Sequence, residues 1–163
     1  MEFYADMKNK SLIINSTIKY KISCDVRTLQ DGTRLSYEVV ETTPGGRPYM
    51  PAPFPAGKWL IVGTSWQKDA QGKSLFSEST YGPVKILTNA FQWVHVWRLD
   101  DEGDYLHESS EVAKDSCYWF HYSTSSTTLG CIRLYSPEDA IAIGRMVDEA
   151  LLRNEPCPLE VVY

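Results

Sequence analysis

Long apolar runs are missing from this 163-residue chain. No stretch approaches the about 20 consecutive apolar residues that a membrane-spanning helix needs, so no membrane span is expected. Basic clusters are equally scarce. Lysine and arginine number 16 against 21 acidic residues, for a formal net charge of -5, and the early pair Lys19 and Lys21 is split by Tyr20. Nucleic acids and anionic membranes are bound through dense cationic patches that release counterions, so neither is an expected partner. The four cysteines form no CxxC pair and no dense framework, which leaves the redox compartment open. Cys24 and Cys157 read as small buried hydrophobes. The opening residues lack a basic segment followed by an apolar stretch and a small-residue cleavage site, so no cleaved signal peptide is expected.

What is present is an ordinary globular composition, 43% hydrophobic and 23% charged, which excludes intrinsic disorder of the low-hydrophobicity, high-charge kind. The length suits one domain with its own core. The expectation is a single domain over residues 1–163.

Residues 11–15, 18–26 and 34–42 are short, rich in Ile, Val, Thr and Tyr, and separated by polar turns, which predicts strands. Alternation places Ile18, Tyr20 and Ile22 on one face and Lys19, Lys21 and Ser23 on the other, the pattern of a half-buried antiparallel strand. Residues 43–57 hold five prolines and three glycines and predict a stiff loop, long enough to wall a groove. Residues 58–63 and 84–88 have strand composition, with a polar surface excursion over 66–82 between them. Residues 91–99 carry Phe91, Trp93, His95, Trp97 and Leu99 on one face and Val94 and Val96 on the other, which predicts a central strand buried on both faces, with His95 a core histidine. The acidic residues 100–104 read as a solvated turn, since their spacing fails the calcium-loop pattern.

Ser136-Pro137-Glu138-Asp139 is a helix start: a capping serine, proline at the first helical position and carboxylates in the first turn. Ala140, Ile143, Met146, Val147, Ala150 and Leu151 recur at helical spacing and form a stripe that must pack on a sheet. Asn154 and Pro156 end the helix, and residues 159–163 read as a terminal strand. Many strands, one helix and one last strand predict a mainly-β or α+β fold.

The chemistry concentrates in residues 120–134. A thiolate attacks far better than a thiol, and the ordinary cysteine pKa of about 8.5 has to be lowered by a histidine, a cation or a dipole. His121 and Arg133 both lie within reach of Cys131 in sequence. Ten residues separate His121 from Cys131, enough for the chain to leave a strand, turn through 123–127 and return beside it. Gly130 allows close backbone approach to a bound carbonyl, and the main-chain N–H groups at Gly130 and Cys131 are a candidate oxyanion hole. Arg133 offers a guanidinium fork to a substrate carboxylate.

Thr128-Leu129-Gly130-Cys131-Ile132-Arg133-Leu134 resembles the active-site motif of L,D-transpeptidases of the YkuD type. Pro55-Ala56-Gly57-Lys58-Trp59 resembles that family's step into a strand, Phe120-His121 its histidine, and Ser136-Pro137-Glu138-Asp139-Ala140 the start of its following helix. The resemblance spans residues 53–163. His121 and Cys131 are closer together than is usual in the family, and Tyr122 stands where a glycine commonly follows the histidine. The short spacing, the small size and the lack of a visible signal are most like the branch that serves as type VI secretion effectors.

The resemblance implies a mixed β-sheet sandwich with one main helix after the cysteine. It also implies a peptidoglycan stem peptide as substrate, with Cys131 as nucleophile, His121 as base, Gly130 at the motif's glycine, and Arg133, Thr128 and Tyr122 as substrate-binding residues. Cys131 would attack the carbonyl at the L-centre of meso-diaminopimelate and expel D-alanine. Water then gives L,D-carboxypeptidase activity; an amine gives transpeptidation or D-amino-acid exchange. No cofactor or metal is implied. Synthesis in the cytoplasm, a secretion apparatus, action in a competitor's periplasm and a cognate immunity protein follow from the same likeness.

Three alternatives stand beside it. One is a zinc hydrolase or structural zinc site built from Cys117, His121 and Cys131, with His107 as a further ligand. Another is a non-catalytic wall-binding module, since the chain has 5 tryptophans and 10 tyrosines that can stack on sugars. Within the enzyme reading, His107 is a rival base.

Overall fold

Alternation along the strands decides which side of each becomes core. In the computed structural model, which describes residues 1–25, 53–67, 81–99, 105–125, 128 and 130–163, with backbone alone over 94–99 and 105–113, ten strands and one α-helix are found. They are β1 (Phe3–Asp6), β2 (Ser11–Ile14), β3 (Ile18–Ser23), β4 (Gly57–Trp66), β5 (Val84–Thr88), β6 (Gln92–Leu99), β7 (Tyr105–Asp115), β8 (Trp119–Tyr122), β9 (Ile132–Leu134), α1 (Pro137–Leu152) and β10 (Cys157–Val162). Eight of them close into a barrel in the order β1-β10-β4-β5-β8-β9-β3-β2, while β6 and β7 form a separate two-stranded sheet. Neighbours are antiparallel except β1 with β10 and β8 with β9, which run parallel.

Phe3 and Ala5, Val84 and Ile86, Ile132 and Leu134, and Leu159 and Val161 each lie two apart on their strands and are all buried, so one face of each strand points into a common core. Phe54, Tyr118 and Phe120 join that core, as do Ala140, Ile143, Val147 and Ala150 of α1. Removing such surfaces from water contributes about 25 cal/mol per Å².

The helix begins as the sequence predicts. Ser136 has extended backbone, its Oγ accepts from the Asp139 N–H at 3.1 Å, and Pro137 opens the first turn. Its buried stripe includes Gly144, where a Cβ would come within 3.1 Å of the Trp66 ring and 3.3 Å of Val84. The helix can therefore approach the wall closely at this point. Asp148 fixes that ring from the next turn, accepting from Trp66 Nε1 at 2.8 Å. At the far end the Arg153 N–H bonds the carbonyls of Glu149 and Ala150, and Asn154 turns the chain out with φ +55.

The mainly-β class with one main helix after Cys131 holds. The central-strand reading of 91–99 does not: among the described residues β6 pairs only with β7, outside the barrel, and Trp93 is 64% exposed. Alternating aromatics marked a strand correctly, but a hairpin arm can carry the same alternation. The predicted strand at 34–42, the 43–52 part of the proline-rich loop, the 100–104 turn and most of the 66–82 excursion lie outside the described residues, as does the side chain of His95. β1, which closes the barrel, was not apparent in the sequence.

Candidate active site

Strands β8 and β9 build the site. Their parallel register pairs Phe120 with Ile132, His121 with Arg133 and Tyr122 with Leu134. Phe120, Ile132 and Leu134 are buried in the core, so His121 and Arg133 share the opposite, outer face of the wall. Cys131 lies two residues before Arg133 and enters β9 on that same side. It therefore stands diagonally from His121 on the neighbouring strand, roughly 8 Å between backbones from the strand spacing and rise.

Five contacts set the turn that presents Cys131. The Thr128 N–H donates to the Asp25 carbonyl at 2.9 Å, its hydroxyl donates to the Cys131 carbonyl at 2.8 Å, and the same oxygen accepts from the Gly130 N–H at 3.4 Å. Cys24 Sγ donates to the Gly130 carbonyl at 3.3 Å and accepts from the Phe54 N–H at 3.3 Å. Gly130 has φ +119, a conformation that side-chain-bearing residues rarely adopt. The end of the proline-rich loop is fixed behind this turn: Phe54 packs its ring on Tyr118 and Phe120 at 5.5 and 5.8 Å, and its carbonyl accepts from Tyr163 Oη.

His121 is 6% exposed and Cys131 8%. The only group His121 Nδ1 meets among the described residues is the Tyr122 carbonyl, at 3.0 Å; a carbonyl only accepts, so Nδ1 carries the proton and Nε2 is left basic. Burial pushes the imidazole below its ordinary 6.5, opposed by the Tyr122 hydrogen bond and aided by the Lys85 charge. The Cys131 thiol is pushed up to about 12, chiefly by burial; a hydrogen bond from the Trp119 backbone pulls the other way, and Cys24, Cys117 and Asp115 add to the rise. The thiol donates to the Cys117 carbonyl at 3.5 Å. The resting pair is thus a thiol and a neutral imidazole, not a thiolate and imidazolium.

Arg133 crosses the face, its Nε donating to the Ser123 carbonyl at 2.8 Å and its guanidinium 4.5 Å over the Tyr135 ring. Thr128 is buried, and its hydroxyl is engaged within the turn, so it holds Cys131 instead of facing a substrate. Tyr122 packs its side chain against the core and serves His121 through its carbonyl. The rival base His107 lies on β7, in the hairpin outside the barrel, and its side chain is outside the described residues. No three His, Cys, Asp or Glu side chains among the described residues are grouped to hold a metal ion, so Cys117, His121 and Cys131 do not form the zinc set that the sequence allowed.

Four residues at the site went unrecognised in the sequence. Cys24 props the Gly130 turn; Lys85 pairs in register with His121 from β5; Tyr81 meets the His121 ring edge-on at 5.2 Å; and Asp115 acts on Cys131 through its charge. None belongs to a local pattern with His121 or Cys131: Cys24 follows β3, Tyr81 and Lys85 come from the turn before β5 and from β5, and Asp115 ends β7. Gly82, at φ +67, lets the Tyr81 turn lie against Tyr122, where a Cβ would come within 2.9 Å.

A groove of about 540 Å3 lined by Tyr4, Ile13, Lys58, Trp59 and Glu160 lies on β1, β2, β4 and β10, across the barrel from Cys131. Its lining holds neither cysteine nor histidine. Comparison with protein-family models, with curated proteins and with solved structures returned no match.

Proposed function

We propose that the chain is a cysteine-dependent peptidoglycan-modifying enzyme of L,D-transpeptidase type, with Cys131 as nucleophile and His121 as general base. The observation that carries the reading is the parallel β8–β9 pair, which sets a histidine with a fixed tautomer on the same face as a cysteine presented by a glycine turn. The barrel is read as this family's form of the mainly-β fold, and residues 1–163 as one catalytic domain.

Because the resting thiol is neutral, attack and proton transfer are coupled. His121 Nε2 takes the thiol proton as Sγ bonds to the carbonyl carbon at the L-centre of diaminopimelate. The Gly130 N–H is held by Thr128 Oγ1 within the turn, which leaves the Cys131 N–H as the donor to the developing oxyanion. His121 then returns the proton to the leaving nitrogen, the C–N bond breaks, and D-alanine departs, leaving a thioester on Cys131. Water gives carboxypeptidase turnover; an amine gives cross-linking or exchange. Arg133 binds a substrate carboxylate beside the histidine. Action in a target bacterium's periplasm after export by a type VI apparatus, with a cognate immunity protein, is part of the same proposal.

The test is an acid-quenched mixture with a stem tetrapeptide, read by intact-protein mass spectrometry and peptide mapping. A tripeptidyl adduct on Cys131, absent from Cys131→Ala, is expected. An adduct on any other residue overturns the assignment.

A further inference from the structure

The sheet register draws a row across three strands of the outer face: Lys85 on β5 pairs with His121 on β8, and His121 pairs with Arg133 on β9. Paired residues on neighbouring strands project to the same side, so one imidazole stands between two cations. At about 4.8 Å per strand, the backbones of Lys85 and Arg133 are roughly 10 Å apart.

Both cations are held in place without being neutralised. The Lys85 ammonium lies 4.5 Å from the Trp119 ring centre and 4.9 Å from that of Tyr81. The Arg133 guanidinium is fixed by the Ser123 carbonyl and the Tyr135 ring, whose other neighbour is Lys21 Nζ at 4.5 Å. Ring faces and carbonyls orient a cation but leave its charge. No carboxylate among the described residues forms an ion pair with Lys85 or Arg133; the described pairs are Met1 with Glu155, Lys10 with Asp25, and Arg153 with Glu155. Asp115, the carboxylate that acts on Cys131, accepts from the Tyr118 hydroxyl. In a chain with a net charge of -5, two oriented cations on either side of a histidine call for an anionic ligand with two charged ends.

We propose that the site reads two carboxylates, one on each side of the reacting carbonyl, with Lys85 and Arg133 as their separate binding residues. Resting on the L,D-transpeptidase reading, the inference assigns to Lys85 the free carboxylate at the D-centre of diaminopimelate. Tyr81 and Trp119 are the rings that aim the ammonium, and Gly82 is what lets Tyr81 reach it. Lys85 is thereby a specificity-determining residue, and a substrate whose D-centre carboxylate is capped as an amide lacks its partner.

The experiment measures kcat/KM for D-alanine release from two stem tetrapeptides ending in diaminopimelyl-D-alanine, one with the D-centre carboxylate free and one with it amidated, using wild type, Lys85→Met and Lys85→Arg. Wild type is expected to favour the free acid by about tenfold or more, the worth of a charge-assisted hydrogen bond. Lys85→Met brings the ratio to near one, and Lys85→Arg retains most of it. Both peptides meet the same His121, so any effect of the substitution on the imidazole cancels in the ratio. Equal use of the two peptides by wild type, or an unchanged ratio in Lys85→Met, overturns the two-carboxylate inference while leaving the enzyme reading in place. Release from neither peptide by wild type overturns the enzyme reading itself, and the inference with it.

Discussion

His121 Nδ1 stands 3.0 Å from the carbonyl oxygen of Tyr122, the next residue along the chain. A backbone carbonyl thus does what a carboxylate does in many catalytic histidine pairs: it fixes the tautomer and the ring plane. A backbone acceptor brings no negative charge, so its hydrogen bond only partly offsets the burial of the imidazole, and the pKa falls.

The first prediction concerns that pKa. An NMR titration of His121 should give a value below 6.5, and the acid limb of kcat/KM should follow it, with activity persisting through pH 6.5 before falling. Lys85→Met should move the titration upward, since the ammonium opposes protonation. The sign for stability is the same as for activity. A depressed histidine contributes stability that is complete above its unfolded pKa of about 6.5 and is lost as pH falls through the folded value. A midpoint above 6.5 contradicts this account.

The thiol gives the second. With Cys131 held near 12 by burial, iodoacetamide should label it slowly at pH 7, at a rate rising with pH into the alkaline range, while the exposed Cys117 reacts first. Mapping of the alkylated peptides against pH checks this. Fast labelling of Cys131 at neutral pH would mean a preformed thiolate pair.

Thr128→Val removes a buried hydroxyl that donates to the Cys131 carbonyl and accepts from the Gly130 N–H. The expected cost is about 1–3 kcal/mol in the denaturant midpoint with an unchanged slope. Thr128→Ser should keep most of the stability. A fully stable Val variant with raised KM would make Thr128 a substrate contact instead.

Gly144→Ala pits two effects against each other. The helix gains about 0.8–1 kcal/mol of propensity, but the new Cβ meets the Trp66 ring at 3.1 Å, and Asp148 pins that ring through Nε1. Overpacking of this kind costs about 1–3 kcal/mol. The net should be destabilising by thermal melt, and Gly144→Ala combined with Trp66→Phe, which loses the pinned indole, should recover part of it relative to Trp66→Phe alone.

Much of the wall was legible from the chain. Ser136-Pro137 located the helix start to the residue, and strand composition located β2, β3 and β5, because caps and strand-forming runs are local signals; the alternation over 18–23 did not hold, since Ile18 is exposed and Ser23 buried. The closeness of His121 and Cys131 followed from a short connection, yet the strands meet in parallel, an arrangement that usually needs a longer crossover. Lys85 and Cys24 were not legible, since their roles depend on which strands become neighbours. The aromatic run at 91–99 misled because Trp93 alternates as a core residue does while lying on a hairpin outside the barrel.

The most direct measurement of the central claim is a digest of disaccharide-tetrapeptide muropeptides with wild type, Cys131→Ala and His121→Ala, read by mass spectrometry. Wild type should convert tetrapeptides to tripeptides or exchanged products with loss of D-alanine, and both variants should leave them intact. Tetrapeptides unchanged by wild type, or converted equally by Cys131→Ala, would contradict it.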